Sequence, residues 1–196
     1  MISARFILRV LLPVLIFSPV AGYTQSMSVI GGGSYARNCF MSATLAIQLN
    51  SASKESVEEC NQAILHGRLT RKDLLATYVN RGILYGAMED YQKALKDYRT
   101  AVELEPVTGE VYVNLGNLYL LSQKYDVAIQ QYTTAIELTL AKNHIAHFNR
   151  AMAYENNKDY DNAEADYRRA MELSPEWVLP QLRLERMIRN IEKGQT

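Results

Sequence analysis

Residues 75–108 read LATYVNRGILYGAMEDYQKALKDYRTAVELEPVT, and residues 109–142 read GEVYVNLGNLYLLSQKYDVAIQQYTTAIELTLAK. Laid one over the other without a gap, they place Tyr85 on Tyr119, Tyr91 on Tyr125, Ala94 on Ala128, Tyr98 on Tyr132 and Ala101 on Ala135, a step of 34. After one extra residue a third copy follows over 144–177, with Tyr154, Tyr160, Ala163, Tyr167 and Ala170 at a step of 35. A small residue recurs as Gly82, Gly116 and Ala151, and Pro106 and Pro175 close the first and third copies where the second has Leu140. Self-similarity at such a period is the mark of stacked supersecondary units rather than of one folded lobe.

A period of 34 with this content resembles the tetratricopeptide repeat, a helix–turn–helix unit patterned as an aromatic, Leu-Gly, Tyr, then Ala, an aromatic, Ala and Pro. The first aromatic is Tyr78, then Tyr112, with His147 in the third copy; Leu115 is the Leu of Leu-Gly, replaced by Arg81 and Arg150 in the other two. The resemblance covers residues 75–177 and implies an all-α fold, a right-handed α-solenoid with repeats at 75–108, 109–142 and 144–177.

The pattern has a physical reason. The small residue of the first helix and the first Ala of the second let the two helices approach closely, and the second Ala admits the next repeat. Tyrosines fill what remains. One pair cannot bury its apolar faces alone, so neighbours stack into a continuous core. Nine of the thirteen tyrosines occupy recurring positions, which assigns them to packing rather than to an aromatic binding box.

Both flanks extend the array. Residues 35–68 read as a degenerate helix pair, with Ser34 as a cap, a turn at Asn50-Ser51-Ala52-Ser53 and a second helix from Lys54 to His66, ended by Gly67. Cys60 and Ala63 have the spacing of Tyr98 and Ala101, so Cys60 replaces a packing tyrosine, and Cys39 lies on the preceding antiparallel helix. The hairpin brings the thiols together, which predicts a Cys39–Cys60 disulfide; two buried free thiols are the alternative. A zinc site is poorly served by two cysteines 21 apart, and an exchangeable redox pair lacks the Cys-x-x-Cys spacing. At the other end Ser174-Pro175-Glu176 reads as a helix start, and Trp177, Leu184, Met187, Ile188 and Ile191 fall on one side of a capping helix, 178–194. The same stripe, or the convex face, is the route to the alternative function, a structural module that acts through homo-oligomerisation, and a monomer or weak homodimer is expected.

Arg5 and Arg9, the apolar run 10–20 and the small residues Ala21 and Gly22 have the layout of a secretory signal peptide over 1–22, cut between 22 and 26. Eleven apolar positions containing Pro13 and Pro19 are too few for a permanent span, so no stable membrane insertion is expected after cleavage. Residues 23–34, with Gly31-Gly32-Gly33, read as a flexible linker. The implied location is outside the cytoplasm, the periplasm in a Gram-negative cell. Basic and acidic side chains balance at 21 each, which leaves no electrostatic basis for nucleic acid as a partner.

No phosphate loop, nucleophile elbow or His-Glu-x-x-His motif is present, and the chain reads as a non-enzyme without cofactor or metal. His144 and His147 are three apart on a helix, but His147 takes an aromatic packing position, and Glu103, Glu105, Glu137 and Glu172 read as solvated. The resemblance implies instead a concave groove lined by the first helix of every repeat, holding a protein or peptide segment. By register its lining is Val79, Asn80 and Ile83, then Val113, Asn114, Asn117 and Leu120, then Ile145, Phe148, Asn149 and Met152. Asn80, Asn114 and Asn149 recur at one position, and a carboxamide offers a donor and an acceptor to a passing backbone. A clamp for a terminal carboxylate is not expected, since the positions that would carry its Lys and Arg hold Val79, Ile83, Ile145 and Asn149. The chain's own residues 27–34 are a second candidate occupant of the groove.

Overall fold

The computed structural model describes residues 25–29, 33–139 and 143–194. Among them are nine helices and no strand: α1 Gly33–Leu49, α2 Lys54–His66, α3 Arg71–Ala87, α4 Tyr91–Leu104, α5 Gly109–Leu121, α6 Tyr125–Leu138, α7 His144–Asn156, α8 Tyr160–Leu173 and α9 Leu179–Glu192. At α2, α3, α4, α7 and α8 a side chain satisfies an orphan amide and fixes the helix start. Ser53 accepts from Ser56, Thr70 from Asp73, Asp90 from Lys93, Asn143 from Ala146 and Asp159 from Asn162. Within each repeat the first helix ends in the same way. Asp90, Lys124 and Asp159 donate their amides to the carbonyls of Tyr85, Tyr119 and Tyr154, all at 2.9 Å. The residue before each donor, Glu89, Gln123 and Lys158, is left-handed, with φ of 60°, 57° and 61°.

Consecutive helices pack as antiparallel hairpins, and α1, α3, α5 and α7 form one row in which each meets the next. The α1–α2 pair therefore continues the array as a fourth, divergent unit, joined by the Cys39–Cys60 disulfide between two fully buried residues. Two apolar clusters run end to end, the first from α1 to α5 and the second from α5 to α9, and Tyr112 packs against both. Tyr98, Tyr132 and Tyr167 are buried in the recurring positions, as packing tyrosines should be. A Cβ on Gly82 would sit 2.4 Å from the Tyr98 ring, and one on Gly116 2.4 Å from the Tyr132 ring. No side chain fits there unless the ring moves. Ala151 holds the third position, and the hydroxyl of Tyr167 donates to Glu155, whereas that of Tyr132 donates to Asn117.

The two Arg replacements of the family's Leu have an evident cause. Arg81 pairs with Asp97 through two nitrogens at 2.8 and 2.7 Å, and Arg150 does the same to Asp166 at 2.6 and 2.9 Å. Both acids lie 16 residues downstream on the second helix, where the second copy carries Leu115 opposite Gln131. Arg81 also donates to Asn61 on α2 and Arg150 to Thr133 on α6, so each guanidinium ties its own hairpin to the preceding one.

Two expectations at the flanks are corrected. Helix α1 begins at Gly33, so Ser34 lies inside it rather than capping it. Ser174-Pro175-Glu176 opens a turn, closed by the Trp177 amide on the Ser174 carbonyl at 3.0 Å, and α9 starts only at Leu179 with Pro180 in its first turn. The motif Ser-Pro-Glu suits a turn as well as a helix start. Trp177 therefore precedes the capping helix, while Leu184 and Met187 carry the contact and Ile188 and Ile191 stay partly exposed. Residues 1–22, Gly31, Gly32 and Leu140 lie outside the described residues. No helix among the described residues is long and apolar enough to cross a membrane.

Candidate peptide-binding groove

The row of first helices sets Asn80, Asn114 and Asn149 at one register position, all fully buried. Residues 25–29, which adopt neither helix nor strand, lie against two of them. Asn80 Nδ2 donates to the Met27 carbonyl at 2.7 Å while the Met27 amide donates to Asn80 Oδ1 at 3.0 Å. One repeat on, Asn114 Nδ2 donates to the Gln25 carbonyl at 2.9 Å, and the Gln25 amide to Asn114 Oδ1 at 3.0 Å. Each carboxamide thus satisfies both backbone groups of one residue, as a neighbouring strand would in the hydrogen-bonded pair of an antiparallel ladder. The step is two residues of chain per repeat, the period at which an extended backbone presents the same face. Ser26, between the two rungs, faces Thr44 of α1 at 3.2 Å, and Met27 packs on the first apolar cluster.

The third position differs. Asn149 Nδ2 donates to Asn117 Oδ1 at 3.0 Å, and that oxygen also accepts from the Tyr132 hydroxyl at 2.7 Å. Phe148 stacks between Tyr167 and Trp177, at ring distances of 5.7 and 4.8 Å, and His144 meets Trp177 edge-on at 5.3 Å. Of the apolar residues assigned to the groove by register, Val79 and Ile83 are buried in the first cluster. Val113, Leu120, Phe148 and Met152 are buried in the second, against which the half-buried Ile145 packs.

Arg81 and Arg150 neighbour Asn80 and Asn149 in sequence but are committed to Asp97 and Asp166. Asp166 receives a third contact from His147 Nδ1 at 2.8 Å. Burial raises its carboxyl's affinity for a proton, but the hydrogen bonds from His147 and Arg150 outweigh this and hold it below the ordinary carboxylate value. The burial and acid contact of His147 separate its role from that of His144. No cluster of three or more His, Cys, Asp or Glu among the described residues is arranged around a metal.

Family profiles of the tetratricopeptide repeat match residues 73–141 and 115–176, together more than half of the chain. The chain belongs to the tetratricopeptide repeat family. Its fold is similar to MamA 41-end from Desulfovibrio magneticus RS-1, with a TM-score of 0.62 and 17% identity, covering 84% of this chain and 88% of that one. The first TPR of Spaghetti (RPAP3), solved bound to the HSP90 peptide SRMEEVD, matches with a TM-score of 0.57 and 20% identity, over 60% of this chain and 93% of that one. The Arabidopsis OM64 TPR domain matches at 0.56 and 24%, over 60% and 97%. No curated protein sequence matches.

Sequence reasoning missed two parts of this tetratricopeptide site. The first is Trp177, placed on the capping helix by its spacing but found against Phe148. The second is the contact point of the N-terminal segment, which falls at Gln25 and Met27 rather than beginning at Met27.

Proposed function

We propose that this tetratricopeptide repeat protein is a non-catalytic scaffold that holds an extended segment of a partner protein in its concave groove. The observation that carries this reading is the paired bonding of Asn80 and Asn114 to a chain backbone. Backbone contacts of that kind supply affinity without demanding a sequence, and flanking pockets add selectivity. A protein of similar fold is solved bound to an HSP90 peptide, which supports a peptide segment as the kind of partner. The commitment of Arg81 and Arg150 to their aspartates favours a passing segment over a clamped C-terminal carboxylate. Export belongs to the proposal: residues 1–22 act as a leader, and the folded chain works in the periplasm.

The test is affinity capture from envelope extracts with the native chain and with Asn80→Ala/Asn114→Ala. Loss of a captured protein, with helical content retained, is the expected result. Equal capture by both would remove the groove from the function. Export is checked by the mass of the fractionated protein, which should begin at residue 23, 24 or 25 and so keep the Gln25 rung; an intact chain in the cytoplasm would overturn it.

A further inference from the structure

The groove is not empty. We propose that residues 25–29 are a tethered occupant, a built-in stand-in for the partner strand that must leave before a partner binds. The proposal rests on the groove reading above and deepens it by stating what controls access and what chemistry the partner presents.

Four observations carry it. Both carboxamides give all of their paired bonding to Gln25 and Met27, so a partner backbone has no free partner at these rungs until the segment departs. Ser26 and Met27 make side-chain contacts, with Thr44 and with the apolar cluster, which fix the register of the segment. Few residues separate Met27 from the start of α1 at Gly33, and a short tether gives the segment an effective concentration on the order of millimolar. The fit is also imperfect. Gln25 Oε1 is buried with no hydrogen-bond partner, an unmet acceptor that penalises the bound state. A segment held by local concentration but poorly satisfied is one that a better strand displaces.

The partner's chemistry follows from the rungs. It is an extended, otherwise unstructured segment whose residues i and i+2 both keep a free N–H, so neither is proline. A small or hydroxyl-bearing residue lies between them, and an unbranched apolar one occupies the Met27 place. It enters with its chain direction opposed to the order of the repeats, because Gln25 meets the later repeat and Met27 the earlier.

The experiment uses the native chain and a Gln25→Pro/Met27→Pro variant, which lacks the two backbone donors but leaves every helix unaltered. The probe is a fluorescent synthetic peptide spanning the chain's own residues 23–30, titrated by anisotropy. The variant is expected to bind it at least tenfold more tightly than the native chain, and the same peptide N-methylated at the two rung positions should bind tenfold more weakly. Equal affinity for both proteins, or tighter binding by the native one, would overturn the tethered occupant and leave the groove reading intact. No binding by either protein up to millimolar peptide, with unchanged circular dichroism, would overturn both.

Discussion

Arg150 grips Asp166 through Nε and Nη2 at 2.6 and 2.9 Å, and Arg81 repeats the grip on Asp97 two repeats earlier in the array. The second copy fills the same two places with Leu115 and Gln131. Two solutions to one helix contact thus coexist in a single chain. Removing one partner of a buried ion pair strands a charge and costs about 3–5 kcal/mol, whereas replacing both is close to neutral. Arg81→Leu is therefore expected to destabilise by about 3 kcal/mol, because Asp97 is only 3% exposed. Arg81→Leu/Asp97→Gln, which installs the second copy's pair, should recover to within about 1 kcal/mol of the native chain. Urea titration of the four proteins gives the coupling; additive effects would show that the two side chains act separately.

Acid stability should report on Asp166. Its carboxyl titrates below the ordinary range because His147 and Arg150 bind the ionised form against the opposing effect of burial. The sign follows from linkage: a depressed folded value contributes stability above the unfolded pKa of about 3.9, lost as pH falls through the folded value. Asp166→Asn should cost about 2 kcal/mol near neutrality and progressively less as pH drops below about 4. Urea midpoints measured from pH 7 to pH 2 test this. A constant difference across that range would mean that the charge of Asp166 is not the stabilising element.

How much of this was legible before the structure depends on what carries each feature. The repeat was readable because its spacing depends on side-chain volume: tyrosines, alanines and glycines recur where helices touch. The disulfide was readable because Cys60 takes a register position of known neighbours. The Arg–Asp pairs were not, although their recurrence 16 residues apart in the first and third copies was a signal that aligning the copies by apolar residues discards. The left-handed turn residues share no side-chain type, since Glu89, Gln123 and Lys158 are held by a backbone bond to a tyrosine carbonyl rather than by a glycine. The rungs at Gln25 and Met27 were least legible of all. Every residue but proline offers the same N–H and C=O, so a segment recognised through its backbone leaves no sequence signature.

Reducing the Cys39–Cys60 bridge should act locally. Opening a loop across a separation of 21 residues removes about 3 kcal/mol in the chain-entropy model. In a linear array that loss falls on the unit that holds the bridge and its neighbour, not on the far end. Amides of α1 and α2 are expected to exchange at least tenfold faster with deuterium after reduction, while those of α7 and α8 keep their rates. Uniform acceleration throughout would show that the array unfolds as one body.

The close approach of helices predicts an asymmetry between copies. Gly116→Ala would drive a methyl to 2.4 Å from the Tyr132 ring, and Tyr132 is fully buried with its hydroxyl tied to Asn117. Overpacking of this kind costs about 1–3 kcal/mol despite the better helix propensity of alanine. The third copy already accommodates Ala151, so Ala151→Gly removes a methyl the packing uses and adds backbone entropy, a loss of about 1 kcal/mol. The two substitutions are chemically opposite yet should both destabilise. Gly116→Ala would also disturb the Tyr132–Asn117 bond and, through the shared Asn117 oxygen, the bond from Asn149. Thermal melts measure both effects. A stabilised Gly116→Ala protein would mean that the tyrosine swings aside without cost and that glycine is not required at the helix crossing.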